Sequence, residues 1–178
     1  MEFSTYFIVS QVLVFIAMIS DFLSMQFRER KKIFIFLIIS ASLISLHYFF
    51  LNKIAAGVII FFSVIRFIVC MFTTNKKFLG LFIVINSIAL IFTYNEIYDL
   101  IIYLSLLIII TGNFQEDGKL MRKMMMVGTS LVIIYNVIIF SPMGVIVEGS
   151  FLASNIIGYY RHYIRKGKKK KEIPVNQM

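Results

Sequence analysis

Apolar runs of about 20 residues recur along nearly the whole chain, each long enough to cross a ~30 Å hydrocarbon core. Short segments separate them, and several of these carry Lys and Arg. The runs do not alternate with period two, so they predict helices and not the strands of a membrane barrel. In lipid every backbone polar group must find its partner inside the protein, and a helix does this within itself. Of 178 residues, 60% are hydrophobic, and the mean hydropathy is +0.88. A water-soluble fold of this size has too little interior to hide that much apolar surface. The solvent this sequence requires is the lipid bilayer.

Seven spans are expected: Phe3 to Met25, Ile33 to Leu51, Ile54 to Phe72, Phe78 to Phe92, Tyr98 to Gly112, Leu120 to Phe140 and Met143 to Tyr163. The cations test this number. Arg28, Arg30, Lys31 and Lys32 follow the first span, and Lys76 and Lys77 follow the third. Lys119, Arg122 and Lys123 stand at the start of the sixth. Arg161, Arg165, Lys166 and Lys168 to Lys171 close the chain. Seven spans put all of these on one side, leaving Lys53 alone on the other and Arg66 within a span. Cytoplasmic loops collect Lys and Arg, so the N-terminus is expected outside and the C-terminus inside. Glu2, with no basic residue before the first apolar run, is the wrong polarity for a cleavable signal.

The net charge of +9 is thereby accounted for without nucleic acid. The tail residues Lys168, Lys169, Lys170 and Lys171 serve as a topology anchor. They also suit anionic lipid head groups, at about 1 kcal/mol per cation near the surface.

Two heptads resemble each other. Gly57 to Ser63 reads GVIIFFS and Gly144 to Ser150 reads GVIVEGS, 87 residues apart. The same offset pairs Phe27 with Phe114, Lys32 with Lys119, Ser42 with Thr129 and Tyr48 with Tyr135. An internal repeat is expected from this. Residues 1–77 form a first three-helix unit, 78–97 a linking helix, 98–163 a second unit and 164–178 a basic cytoplasmic tail. Two such units face the same way only if an odd number of spans joins them, which gives a 3-1-3 plan with parallel repeats.

Ionisable residues inside spans are expensive and mark functional sites by default. Asp21 and Arg66 lie at similar depths on helices one and three, and an ion pair between them would form an inner latch. Glu148 replaces the aromatic Phe61 of the first copy. Gln11, His47, Asn136 and Glu148 bring polar groups to the outer half of the bundle, with Ser63 and Asn155 further along their helices. Converging faces would line a cavity for a small polar solute. Taken singly, Gln11, Asn136 and Asn155 equally suit hydrogen bonds that only hold helices together. Gly57, Gly80, Gly144, Gly149 and Gly158 permit close helix approach.

Other chemistry finds no support. Cys70 is the single cysteine, so no intrachain disulfide forms. His47 and His162 are the only histidines and stand on different segments, so no metal site is expected. There is no phosphate loop, dinucleotide turn or nucleophile elbow, and no cofactor or enzyme activity is expected.

Leu46 to Val69 and Ile146 to Arg161 resemble the YgjV-type bacterial inner-membrane proteins. The matching anchors are Gln11, His47, Ile65-Arg66 and Glu148-Gly149-Ser150-Phe151. The resemblance implies a multi-pass protein of the bacterial inner membrane and assigns no substrate. The three-helix plan is more distantly similar to SWEET, SemiSWEET and PQ-loop transporters. There, an aromatic residue in helix two precedes a substrate-contacting Asn in helix three, a relation like that of His47 to Ser63. The chain departs from that group in lacking a Pro-Gln pair after the first span and in having no Trp. The function expected is a small-solute transporter with its site between two repeats. The alternative is a non-transporting scaffold, or a lipid- or partner-binding membrane protein.

Overall fold

The computed structural model describes residues 5–50, 54–94, 96–138, 140 and 142–165. These form seven α-helices and no strand: α1 (Thr5–Ser24), α2 (Arg30–Phe50), α3 (Ile54–Phe72), α4 (Lys76–Thr93), α5 (Asp99–Asn113), α6 (Gly118–Ile138) and α7 (Pro142–Tyr159). A π-helical turn, Tyr160–Arg165, continues α7. Each expected span coincides with a helix, and the third matches to the residue. Phe3, Leu51 and the tail residues Lys168, Lys169, Lys170 and Lys171 lie outside the described residues.

Taken by length and composition, α2 and α6 are each able to cross a membrane. Large apolar side chains turn outward along the helices, and Ile91 and Phe92 are 74% and 83% exposed. In water such a surface is an aggregation hazard; in hydrocarbon it is ordinary.

The central helix of each three packs on both of its neighbours, α2 between α1 and α3, α6 between α5 and α7. The two groups meet along α1 and α7, and α4 rests on α5. The fully packed core gathers at one end of the bundle. It holds Met25, Phe34 and Leu37 from one group, Ile110, Met121 and Met125 from the other, and Phe82 of α4. The cation-bearing segments meet at that same end, as the charge pattern predicted. Thr74, before α4, donates to Glu116, before α6 (3.2 Å). At the start of α4, the Asn75 side chain accepts from the Lys77 N–H (2.9 Å).

Helix C-termini at this end leave orphan carbonyls, and arginines from the opposite group satisfy them. Arg122 of α6 is fully buried. It donates to the carbonyls of Met25 (2.8 Å) and Phe27, just past the end of α1. Arg30 of α2 donates to the carbonyls of Asn113 and Gln115, at the end of α5, and to that of Cys70 on α3 (2.9 Å). Each group thus caps the first helix of the other. A guanidinium suits this work, because its planar fork reaches two acceptors at once and favours the negative end of a helix dipole. Arg161 and His162 add bonds to the carbonyl of Gln26.

The approach is close enough that a Cβ at Gly158 would strike the Met25 carbonyl and come within 2.8 Å of an Arg122 nitrogen. Gly57 likewise has no room beside the Phe49 ring. At Gly80 and Gly149 a Cβ would meet nothing within 4 Å, so close packing is not what those glycines serve.

Arg122→Met strands two carbonyls in a packed core. It should cost about 3 kcal/mol or more, lowering the melting temperature in detergent by at least roughly 6 °C. Arg122→Lys should recover only part of this, since an ammonium cannot span both acceptors. An unchanged melting temperature for Arg122→Met would remove this cap from the account of stability.

Candidate functional site

A cavity of about 260 Å³ lies between the two groups. Helix periodicity explains its walls. Leu37, Ser40, Ala41 and Ile44 share one face of α2, and Met125, Thr129 and Val132 share one face of α6. Ser40 and Ala41 are small, and so leave space where these central helices face each other. The α3 wall is Ile60, Ser63, Arg66 and Phe67. On α7 the wall is Val147, Glu148 and Phe151, with Asp21 of α1 and Ile109 of α5 completing the ring. Every helix contributes except α4. The lining is chiefly apolar with a few convergent polar groups, the usual character of a small-molecule site.

Arg66 is 6% exposed, and its Nε has no hydrogen-bond partner among the described residues. Its guanidinium carbon lies 5.0 Å from the centre of the Phe67 ring, a cation–π contact that offsets part of the cost of burial. Arg66 and Ser63 also border a second hollow of about 230 Å³ on the α4 side of α3, beside Phe82 and Asn86. The pair therefore stands between the central cavity and a lateral groove.

The cavity collects Asp21, Ser63, Arg66 and Glu148 from the residues singled out in the sequence. Asp21 and Arg66 do share the site, but no ion pair joins them. Among the described residues the ion pair within 4.0 Å is Lys32–Glu29 (2.8 Å), at the bundle's end. The reason is the order of the helices: α2 lies between α1 and α3, and its face separates acid from base.

Gln11, His47, Asn136 and Asn155 do not line this cavity. Gln11 is exposed, and its amide donates to the Ser10 hydroxyl (3.4 Å). The His47 Nδ1–H donates to the Ser10 carbonyl (3.0 Å), tying α2 to α1. Asn136 is half-buried on α6. Asn155 is buried against Arg122: its amide donates to the Arg122 carbonyl (3.2 Å), and its oxygen faces the guanidinium (3.4 Å). His47 and Asn155 thus satisfy neighbouring backbone and side chains, the helix-joining role that polar groups often take in membranes.

Sequence reasoning missed Ser40, Thr129 and the two capping arginines. Ser40 and Thr129 carry a usable signal, since each is a small polar residue on the packed face of a central helix. Arg30 and Arg122 read as topology cations because they fall at span boundaries, where lysines also cluster. Among the described residues, no three His, Cys, Asp or Glu side chains gather to hold a metal.

A family model described as Imp-YgjV, bacterial inner membrane protein, matches residues 8–166. No curated protein and no solved structure matches the chain. The match spans all seven helices and most of their length, so the chain belongs to the Imp-YgjV family and is a multi-pass protein of the bacterial inner membrane.

Proposed function

We propose that the protein is a small-solute carrier whose site is the cavity between two three-helix units. α1 to α3 form one unit, α5 to α7 the other, and α4 is the inverting link of a 3-1-3 plan. The N-terminus lies outside and the cationic end of the bundle faces the cytoplasm. The observation that carries this function is the cavity itself. It is bounded by all six helices of the two units, excludes the linker and holds three ionisable side chains. Carriers built from repeats keep their site at the repeat interface and expose it alternately by rocking one unit against the other.

The lining supports the repeat in a register one residue longer than the heptads suggest. Asp21 and Ile109, Leu37 and Met125, Ala41 and Thr129, Ile44 and Val132, Ile60 and Glu148, Ser63 and Phe151 each stand 88 apart. Burial keeps the same spacing. Ala17 with Ser105, Met25 with Asn113, Ile33 with Met121, Phe34 with Arg122, Arg66 with Ser154 and Cys70 with Gly158 are buried pairs. The capped carbonyls, Met25 and Phe27 against Asn113 and Gln115, keep the same spacing. The two heptads are then one residue out of step, about 100° around a helix. Their likeness comes from shared apolar composition, and Glu148 corresponds to Ile60 and not to Phe61.

In a carrier of this kind the reciprocal arginine caps are the closed gate at the cationic end. They replace the Asp21–Arg66 latch expected from the sequence. Rocking the units apart there would move the guanidiniums and the carbonyls into water together. The exchange is moderate in cost, because both partners regain hydrogen bonds.

A water-filled route is the direct test. In a Cys70→Ser background, Ser63→Cys and Thr129→Cys should react with a small charged methanethiosulfonate, since only a hydrated thiol ionises readily. Ile8→Cys, on the outward surface, should not. Equal silence at all three positions would make the cavity dry and end the carrier proposal. Orientation is tested by reporter fusion. A phosphatase fused after Arg165 should be inactive and one fused before Thr5 active, and the reverse pattern would invert the assigned topology.

A further inference from the structure

We infer that the solute taken by this cavity is a small zwitterion, with an ammonium group at the Asp21 and Glu148 wall and a carboxylate at Arg66. The inference rests on the carrier proposal and names its substrate class. Asp21 and Glu148 come from α1 and α7, the two helices that join the units. Arg66 comes from α3, on the far side of α2. One guanidinium and two carboxyl groups therefore face the same space from different walls and make no ion pair with each other.

Arg66 is a cation in a low-dielectric interior, and the Phe67 ring offsets only part of the cost of its burial. Arg66 shows the deficit directly: it is 6% exposed, and its Nε points at no acceptor among the described residues. A planar guanidinium recognises a carboxylate through two parallel bonds. Carboxylates in turn accept from an ammonium group. One molecule with both ends satisfies both walls.

The rest of the lining agrees with this. Leu37, Ile44, Val132 and Phe151 supply apolar surface, and Ser63 and Thr129 are hydroxyl-bearing residues in the same lining. The volume, about 260 Å³, has room for a compact metabolite. A neutral sugar would leave Arg66 and both acids without charged partners. A metal cation would meet the guanidinium in the same space.

The test is thermal unfolding of the purified full chain in detergent. The probes are ω-amino acids of increasing length, glycine, 4-aminobutyrate and 6-aminohexanoate, which bracket the unknown spacing of the two walls. Butylamine and butyrate are one-ended controls, and glycerol is the neutral control. At least one ω-amino acid should raise the melting temperature by roughly 5–10 °C at a hundredfold excess over its Kd. Neither one-ended control should do so at the same concentration. Arg66→Gln should weaken that binding by at least about 30-fold, and Asp21→Asn should reduce it too. Should either variant fail to fold, the comparison of probes on the parent chain decides alone. Stabilisation by glycerol, or equal stabilisation by butylamine, overturns the zwitterion and leaves a carrier of another solute. Binding by none of the series overturns it as well. The carrier proposal itself fails only if the cavity cysteines stay unreactive.

Discussion

Arg30 and Arg122 each leave their own group of helices to satisfy carbonyls at the end of the other group's first helix. Much of the fold follows from that exchange. A helix end cannot be buried with its last carbonyls unpaired, so the ends of α1 and α5 pack in the core only because a guanidinium arrives from across the interface. Arg122 cannot be buried either without acceptors, and Arg30 is half-buried in its own place. Each requirement answers the other, and the core of Met25, Phe34, Met121 and Met125 closes around the result. Gly158 is part of the same arrangement, since any side chain there would push α7 off the Met25 carbonyl.

The middle of the interface is built differently. Past the caps, the facing surfaces of α2 and α6 carry Ser40, Ala41 and Thr129 in place of large side chains, and a cavity opens. One end of the bundle is therefore packed and pinned, while its middle is hollow and charged. A carrier in one of its two closed-gate states has this asymmetry. The central position of α2 also decides the electrostatics. It keeps Asp21 and Arg66 apart, which in the proposed carrier leaves both side chains open to a solute.

The sequence made the helices plain, because long apolar runs between cationic segments leave little freedom in lipid. The third span matched to the residue, and the cation-bearing ends met where the charge pattern placed them. Asp21, Ser63, Arg66 and Glu148 stood out in the sequence because ionisable or polar groups at membrane depth contrast with Ile and Phe, and the four line one cavity. What stayed hidden was neighbourhood. His47 and Asn155 looked like cavity groups, yet each found a carbonyl close by, which sequence position cannot reveal. The capping role of Arg122 was hidden for the opposite reason. A cation near a helix start has an innocent explanation, and only its burial shows the other one.

The central claim is that two units move about the cavity while the reciprocal arginine caps hold one end shut. Its most direct test is a distance between spin labels at Lys31→Cys and Lys119→Cys, two exposed sites at that end, in a Cys70→Ser background. The parent chain should give a single short distance. With Arg30 and Arg122 both replaced by Gln in the still-folded protein, a second, longer population should appear as the units part. One unchanged distance in both proteins would mean that the caps only stabilise a rigid bundle, and would contradict the account.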